Sequence, residues 1–280
     1  MEHRDRATGW RHAKLSGHEN EALVDELFAS DSRYQHYFLD RLGQGNTRVI
    51  SIDTGGLNEK NVPCIFPNET TKSKADMYIR LEDGSSLNIS IKKSLIGQVY
   101  LIGIDRFIDG FELQYKKRIP PDVKRAITLF WGSAEDVPDI LKSYSYDTNY
   151  ENRKHRLVAY TLAQYNSVLH ASLLDWFKNN MYEITDFCFS KGLAKSPEDW
   201  ANVIWYKNEL GENSVDDVFF IDELCRKTSS NAFSSTEYGN RNGGSTIQLP
   251  FGFVQWHSPT KRIPGNLQFH HGYDKINSIM

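Results

Sequence analysis

Period-two and helical patterns of apolar residues alternate along this chain. Residues 75–81 (ADMYIRL) put Met77, Ile79 and Leu81 on one side of an extended strand and Asp76, Tyr78 and Arg80 on the other. Residues 86–92 (SLNISIK) repeat the pattern, with Leu87, Ile89 and Ile91 apolar and Asn88, Ser90 and Lys92 opposite. Glu82-Asp83-Gly84-Ser85 lies between them and predicts a hairpin turn. Residues 16–29 predict a helix: Ser16 and Glu19 have capping-box spacing, and Leu23, Leu27 and Phe28 form an apolar stripe. Residues 47–52 predict a short strand that ends at a Gly-Gly turn, and 126–131 (AITLFW) a buried one. The run 98–104 fits either state. Beyond about residue 135 the texture changes. Residues 153–190 are helical in pattern, with Leu157, Leu162, Val168, Leu169, Leu173, Trp176 and Phe177 as core, and 197–209 read as a helix running into a strand. Residues 228–245 are a Ser/Asn/Gly-rich loop, and 246–257 and 266–271 are strand-like.

These elements predict an α/β fold. The expected division is residues 1–135 as a core and 136–280 as a mainly helical plus strand region that completes it. The two parts can also form one continuous domain, since 280 residues suffice for either arrangement. A formal charge of -3 excludes a uniformly basic surface but leaves room for a local basic cleft. No apolar run approaches the ~18 residues of a membrane span, and the charged stretch 1–14 has no apolar core of the kind a signal peptide needs. Cys64, Cys188 and Cys225 lack metal or disulfide spacing, so they read as small buried hydrophobes in a reducing cytoplasm. P-loop, GxSxG and HExxH motifs are absent.

The hairpin carries the chemistry. A carboxylate at the start of one strand and a lysine on the next share its polar face, while the apolar faces anchor the pair to a core. Asp76 offers hard oxygen ligands to a cation such as Mg²⁺. Lys92 can orient a water or offset charge that grows on a phosphate. An Asp and a Lys on neighbouring strands also form ordinary surface ion pairs, which contribute little.

Asp76, followed by Ser90-Ile91-Lys92, resembles the D…(D/E)xK arrangement of the PD-(D/E)xK nuclease superfamily, above all its type II restriction endonucleases. The GHE-bearing helix, the TKSKAD turn, the hairpin ending ISIKKS and the following GQV are similar in texture. The resemblance spans roughly residues 10–135, with weaker support at LQFHH (267–271). It implies a restriction-endonuclease-like mixed sheet flanked by helices and Mg²⁺-dependent hydrolysis of DNA phosphodiesters. Two positions depart from the motif: Ala75 replaces the usual proline, and Ser90 replaces the acidic residue two before the lysine. A Glu from the first helix can compensate. Glu19, four residues before Leu23, is the expected one, and Glu21 lies off that stripe. The expected catalytic set is therefore Asp76, Ser90, Lys92, Glu19 and Gln98, with Asp76 and Glu19 as metal ligands.

DNA contacts are expected from Lys72, Lys74 and Lys93, from Lys116 and Lys117 in a basic run reaching Arg125, and from Arg241, Asn242 and His270. Each is equally at home on a solvated surface. The implied partners are double-stranded DNA, a second copy of the chain (a monomer being the other arrangement) and a cognate DNA methyltransferase, with no membrane. The alternatives are a repair or phage nuclease of the same superfamily, and a DNA-binding protein that has lost catalysis at Ser90.

Overall fold

The computed structural model describes residues 6–54, 61–132, 134–143, 156–236, 244–257 and 265–280, and the backbone alone for 6–16 and 54. In chain order the main elements begin with α1 (Arg6–Ser30), α2 (Ser32–Arg41), β1 (Val49–Thr54), β2 (Asn61–Pro63), β3 (Thr70–Lys72), β4 (Met77–Leu81) and β5 (Ser86–Lys92). They continue with β6 (Ile96–Gly103), α3 (Ile104–Tyr115), α4 (Pro121–Trp131), α5 (Val137–Lys142) and the helices Ala159–Tyr165, Ser167–Asn179 and Met181–Asp186. The last are β7 (Val203–Lys207), β8 (Asp216–Phe220), the helix Ile221–Ser230, β9 (Ser235–Thr236), β10 (Thr246–Leu249), β11 (Gly252–His257) and β12 (Asn266–Gly272). Contacts group the chain into two units: Met1–Leu95 with Phe189–Glu223, and Ile96–Cys188 with Leu224–Met280.

The first unit holds a five-stranded sheet in the order β1-β4-β5-β7-β8. Only β5 and β7 run parallel, so the sheet is mixed, as expected for this α/β fold. The hairpin forms where the alternation placed it, pairing Met77 with Ile89 and Ile79 with Leu87. Its apolar face enters a core with Val24 and Phe28 of α1, Phe38 and Leu39 of α2, and Trp205 of β7. Phe28 meets Phe38 and Trp205 edge-on, at ring-centroid distances of 5.2 and 5.9 Å. The polar face is covered as well. Asn88 donates to the carbonyls of Glu198 and Trp200, and its own N–H is accepted by the Asn202 side chain.

Behind the sheet, Asp216 ties α2 to β7 and β8. Its carboxylate accepts hydrogen bonds from Tyr34, Arg41, Trp205 and Lys207. Desolvation alone would raise its pKa, but the bonds from Lys207, Tyr34 and Trp205 outweigh it and hold the pKa at about 2.

The second unit carries the antiparallel sheet β6-β12-β11-β10-β9. Phe107 and Phe111 of α3 cluster with Trp176 and Phe187, and Phe107 also meets Phe269 of β12. The ambiguous run at 98–104 is a strand that ends where α3 begins. Within 153–190, Leu157, Leu162, Leu173, Trp176 and Phe177 are buried as expected, but Val168 is exposed. All three cysteines are buried and none is in a disulfide. Among the described residues no helix is long and apolar enough to cross a membrane.

Two local readings are corrected. Residues 126–131 are the C-terminal half of α4 and not a strand. Six apolar residues cannot reveal a period, but the punctuation could: Pro121 opens the helix, and Gly132, at φ 91, closes it in the left-handed region. Ser16 does not cap α1, because the helix begins at Arg6.

Two outcomes follow from this packing. Phe28→Ala should lower stability by about 3–5 kcal/mol, measured by urea denaturation. Asp216 has a folded pKa below its usual 3.8, so its contribution is full above pH 4 and is lost as pH falls toward 2. Asp216→Asn should therefore cost on the order of 1–2 kcal/mol at pH 6 and much less at pH 2.

Candidate active site

Asp76 immediately precedes β4, and its geometry is set by backbone. Its N–H donates to the carbonyl of Ile89 at 2.8 Å. Its Oδ2 accepts the N–H of Ile91 at 2.7 Å and lies 3.4 Å from the Ser90 hydroxyl. Just upstream, the Ser73 hydroxyl accepts from the Ala75 N–H and from Tyr78, and donates to the carbonyl of Asp199. Ser73 thus fixes the backbone that enters β4.

Lys92 ends β5 on the same face as Ser90. Its ammonium donates to Ser90 Oγ at 2.6 Å and to the carbonyl of Ile91 at 3.3 Å. Ser90 therefore links Lys92 to Asp76. Desolvation raises the pKa of Asp76, against the opposing charge of Lys92 and the Ile91 hydrogen bond.

The helix contributes Glu21. Glu19 is exposed to solvent, whereas Glu21 is partly buried and accepts from His18 Nδ1 at 3.2 Å. Burial first, and then the charge of Asp76, raise the Glu21 pKa to about 7, with His18 and Lys92 opposing. The reason is the phase of α1. A stripe drawn through Leu23 points Glu19 inward, but Leu23 is 37% exposed and the buried positions are Asn20, Val24 and Phe28. One residue of phase is about 100° of rotation, and it brings Glu21 to the sheet instead. The missed signals were Val24, which with Phe28 marks the buried face, and Asn20, a polar residue that an apolar pattern skips.

Gln98 belongs to the second unit, where it accepts from Gln268 at 2.8 Å beside His270. His270 stacks on Phe253 with ring centroids 4.5 Å apart. Lys74 acts electrostatically on Asp76, and Lys72 is exposed at the end of β3. Lys93 pairs with Glu212 at 3.1 Å. In the basic run, Lys117, Lys124 and Arg125 pair with Glu183, Glu112 and Asp136, while Lys116 is exposed in the left-handed cap of α3. Arg241 and Asn242 lie outside the described residues.

The donors around Asp76 are all oxygens: the carboxylates of Asp76 and Glu21 and the hydroxyl of Ser90. Two neighbouring acids whose charged forms are both disfavoured are relieved by a divalent cation, so this set fits Mg²⁺. There are two carboxylates and not three: among the described residues no cluster of three or more His, Cys, Asp and Glu could hold a metal ion.

No protein-family model matches the chain, and no curated protein does. Among solved structures it is similar to restriction endonuclease MspI in complex with its cognate DNA. The identity is 12% and the TM-score 0.44, over 87% of this chain and 79% of that one.

For the cation-free protein, the raised pKa of Glu21 sets a sign. The folded value of about 7 exceeds the ordinary 4.5, so stability falls as pH rises through that interval. Glu21→Gln removes the loss. The variant should gain on the order of 1–2 kcal/mol over wild type at pH 8 and show little difference at pH 4, by chemical denaturation. An equal effect at both pH values contradicts the placement.

Proposed function

We propose that the protein is a Mg²⁺-dependent endonuclease that hydrolyses phosphodiester bonds of double-stranded DNA, of the type II restriction kind. The observation that carries this reading is the meeting of two carboxyl groups with raised pKa, Asp76 and Glu21, with Lys92 at the C-terminal end of the central strand β5. A simple surface ion pair does not account for it, because the second carboxyl group adds repulsion that one lysine does not cancel.

Glu21, Asp76 and the Ser90 hydroxyl would hold the ion, which when bound supplies charge neutralisation at the phosphate and a water of lowered pKa. Lys92 uses two of its N–H groups on Ser90 and Ile91, which fixes its direction and leaves the third for a phosphate oxygen or the attacking water. Hydrolysis forms a bond from the water oxygen to phosphorus and breaks the bond to the leaving sugar oxygen. Lys74 and Lys72, just upstream of Asp76, are suited to neighbouring phosphates and would give sequence-independent affinity. Cutting both strands suits a homodimer, and a restriction enzyme requires a cognate methyltransferase. A repair or phage nuclease of the same superfamily would use the same residues.

Incubation with phage DNA should give discrete bands with Mg²⁺ and none with EDTA. Lys92→Ala and Asp76→Asn should each reduce the rate by about 10²–10³-fold or more. Glu21→Gln should likewise abolish cutting, while Glu19→Gln should stay within about twofold of wild type, as an exposed substitution does. Salt-sensitive DNA binding without cutting would show a chain that binds only. Neither binding nor cutting, on modified DNA included, overturns the nuclease reading.

A further inference from the structure

The turn between β7 and β8 makes hydrogen bonds in two directions. On one side it meets α1. Asn20 is fully buried, donates from Nδ2 to the carbonyl of Lys207 at 2.9 Å, and accepts the N–H of Glu209 on Oδ1 at 2.7 Å. On the other side it meets the end of β5. Asn208 and Asn213 both donate from Nδ2 to the carbonyl of Lys93, at 3.3 and 3.2 Å. The turn is itself braced. Asn208 Oδ1 accepts from Leu210 N–H, Asn213 Oδ1 accepts from Val215 N–H, and Lys207 bridges Glu209 and Asp216 at its base.

The residues it grips are adjacent to the site. Asn20 precedes Glu21, and Lys93 follows Lys92. We propose that this turn is the positioning element of the candidate active site, with Asn20 and Asn208 as positioning residues that hold Glu21 of α1 and Lys92 of β5 in register. The inference rests on the reading of Glu21, Asp76 and Lys92 as a cation-dependent site. Burial alone does not explain Asn20. The same face of α1 buries Val24 and Phe28, and an apolar residue at position 20 would pack without needing partners. Packing of Val24 and Phe28 places the helix face, and two directional bonds to two backbone groups further fix its height and its rotation at position 20. A carboxylate ligand needs that precision.

The test compares Asn20→Ala and Asn208→Ala with Leu39→Ala, which weakens the same core without touching the turn. The readouts are Mg²⁺ affinity by calorimetry, steady-state cleavage, and hydrogen exchange of residues 18–24 and 90–93. Each Asn variant is expected to weaken Mg²⁺ binding by about tenfold or more, as loss of a supporting contact does. It should lower kcat with little change in KM for DNA and speed exchange in both segments. Leu39→Ala should leave Mg²⁺ affinity unchanged. The inference is overturned if the Asn variants bind Mg²⁺ as wild type does, or if Leu39→Ala loses as much. Absence of Mg²⁺ binding by wild type would sink the functional reading. Exchange then decides the positioning claim alone, and protection unchanged at 18–24 and 90–93 refutes it.

Discussion

A carboxylate withdrawn from water is the constraint around which the first unit is organised. Asp76 sits where desolvation disfavours its charge, and the fold answers with an N–H from Ile91, a hydroxyl from Ser90 and the ammonium of Lys92. Each answer depends on the register of the hairpin. Shifting β5 by one residue would turn Ser90 and Lys92 into the core and bring Ile91 to the polar face. The apolar side of the hairpin therefore does more than stabilise: Met77, Ile79, Ile89 and Ile91 fix the register that makes the polar side a site.

The helix obeys a second constraint of the same kind. Glu21 is partly buried beside a carboxylate it repels, an arrangement that costs free energy in the cation-free protein. The surrounding packing of Val24 and Phe28, and the bonds of Asn20, hold it there. Under the proposed function, this electrostatic cost is what a bound divalent cation would relieve.

The strands of the hairpin, its turn and both its faces were legible in the sequence because a period of two has only two phases. The helix was not legible to the same degree. Its period of 3.6 allows several phases, and the stripe drawn through Leu23, Leu27 and Phe28 is one of them; the buried face runs instead through Val24 and Phe28. Asn20 reinforces it through partners 187 and 189 residues away, which no local pattern reports. The same holds for Gln98. It follows Lys92 by six residues, yet the division between units falls at Leu95–Ile96 and assigns it to another sheet. A charge run shows nothing of its partners either. Lys117, Lys124 and Arg125 each meet a carboxylate on a neighbouring element or turn, which one dimension does not report.

Ser90 is where sequence and structure meet least obviously. Read against the motif it is a loss, because a hydroxyl is a weaker ligand than a carboxylate. In the fold it is the atom that joins Lys92 to Asp76, accepting from the ammonium at 2.6 Å. A carboxylate there would bind the ammonium as a salt bridge and would add a third negative charge beside Asp76 and Glu21. With both of those acids already raised in pKa, a third would deepen the repulsion. Serine keeps the geometry of the lysine and lowers the charge, leaving Glu21 to supply the second carboxylate from the helix.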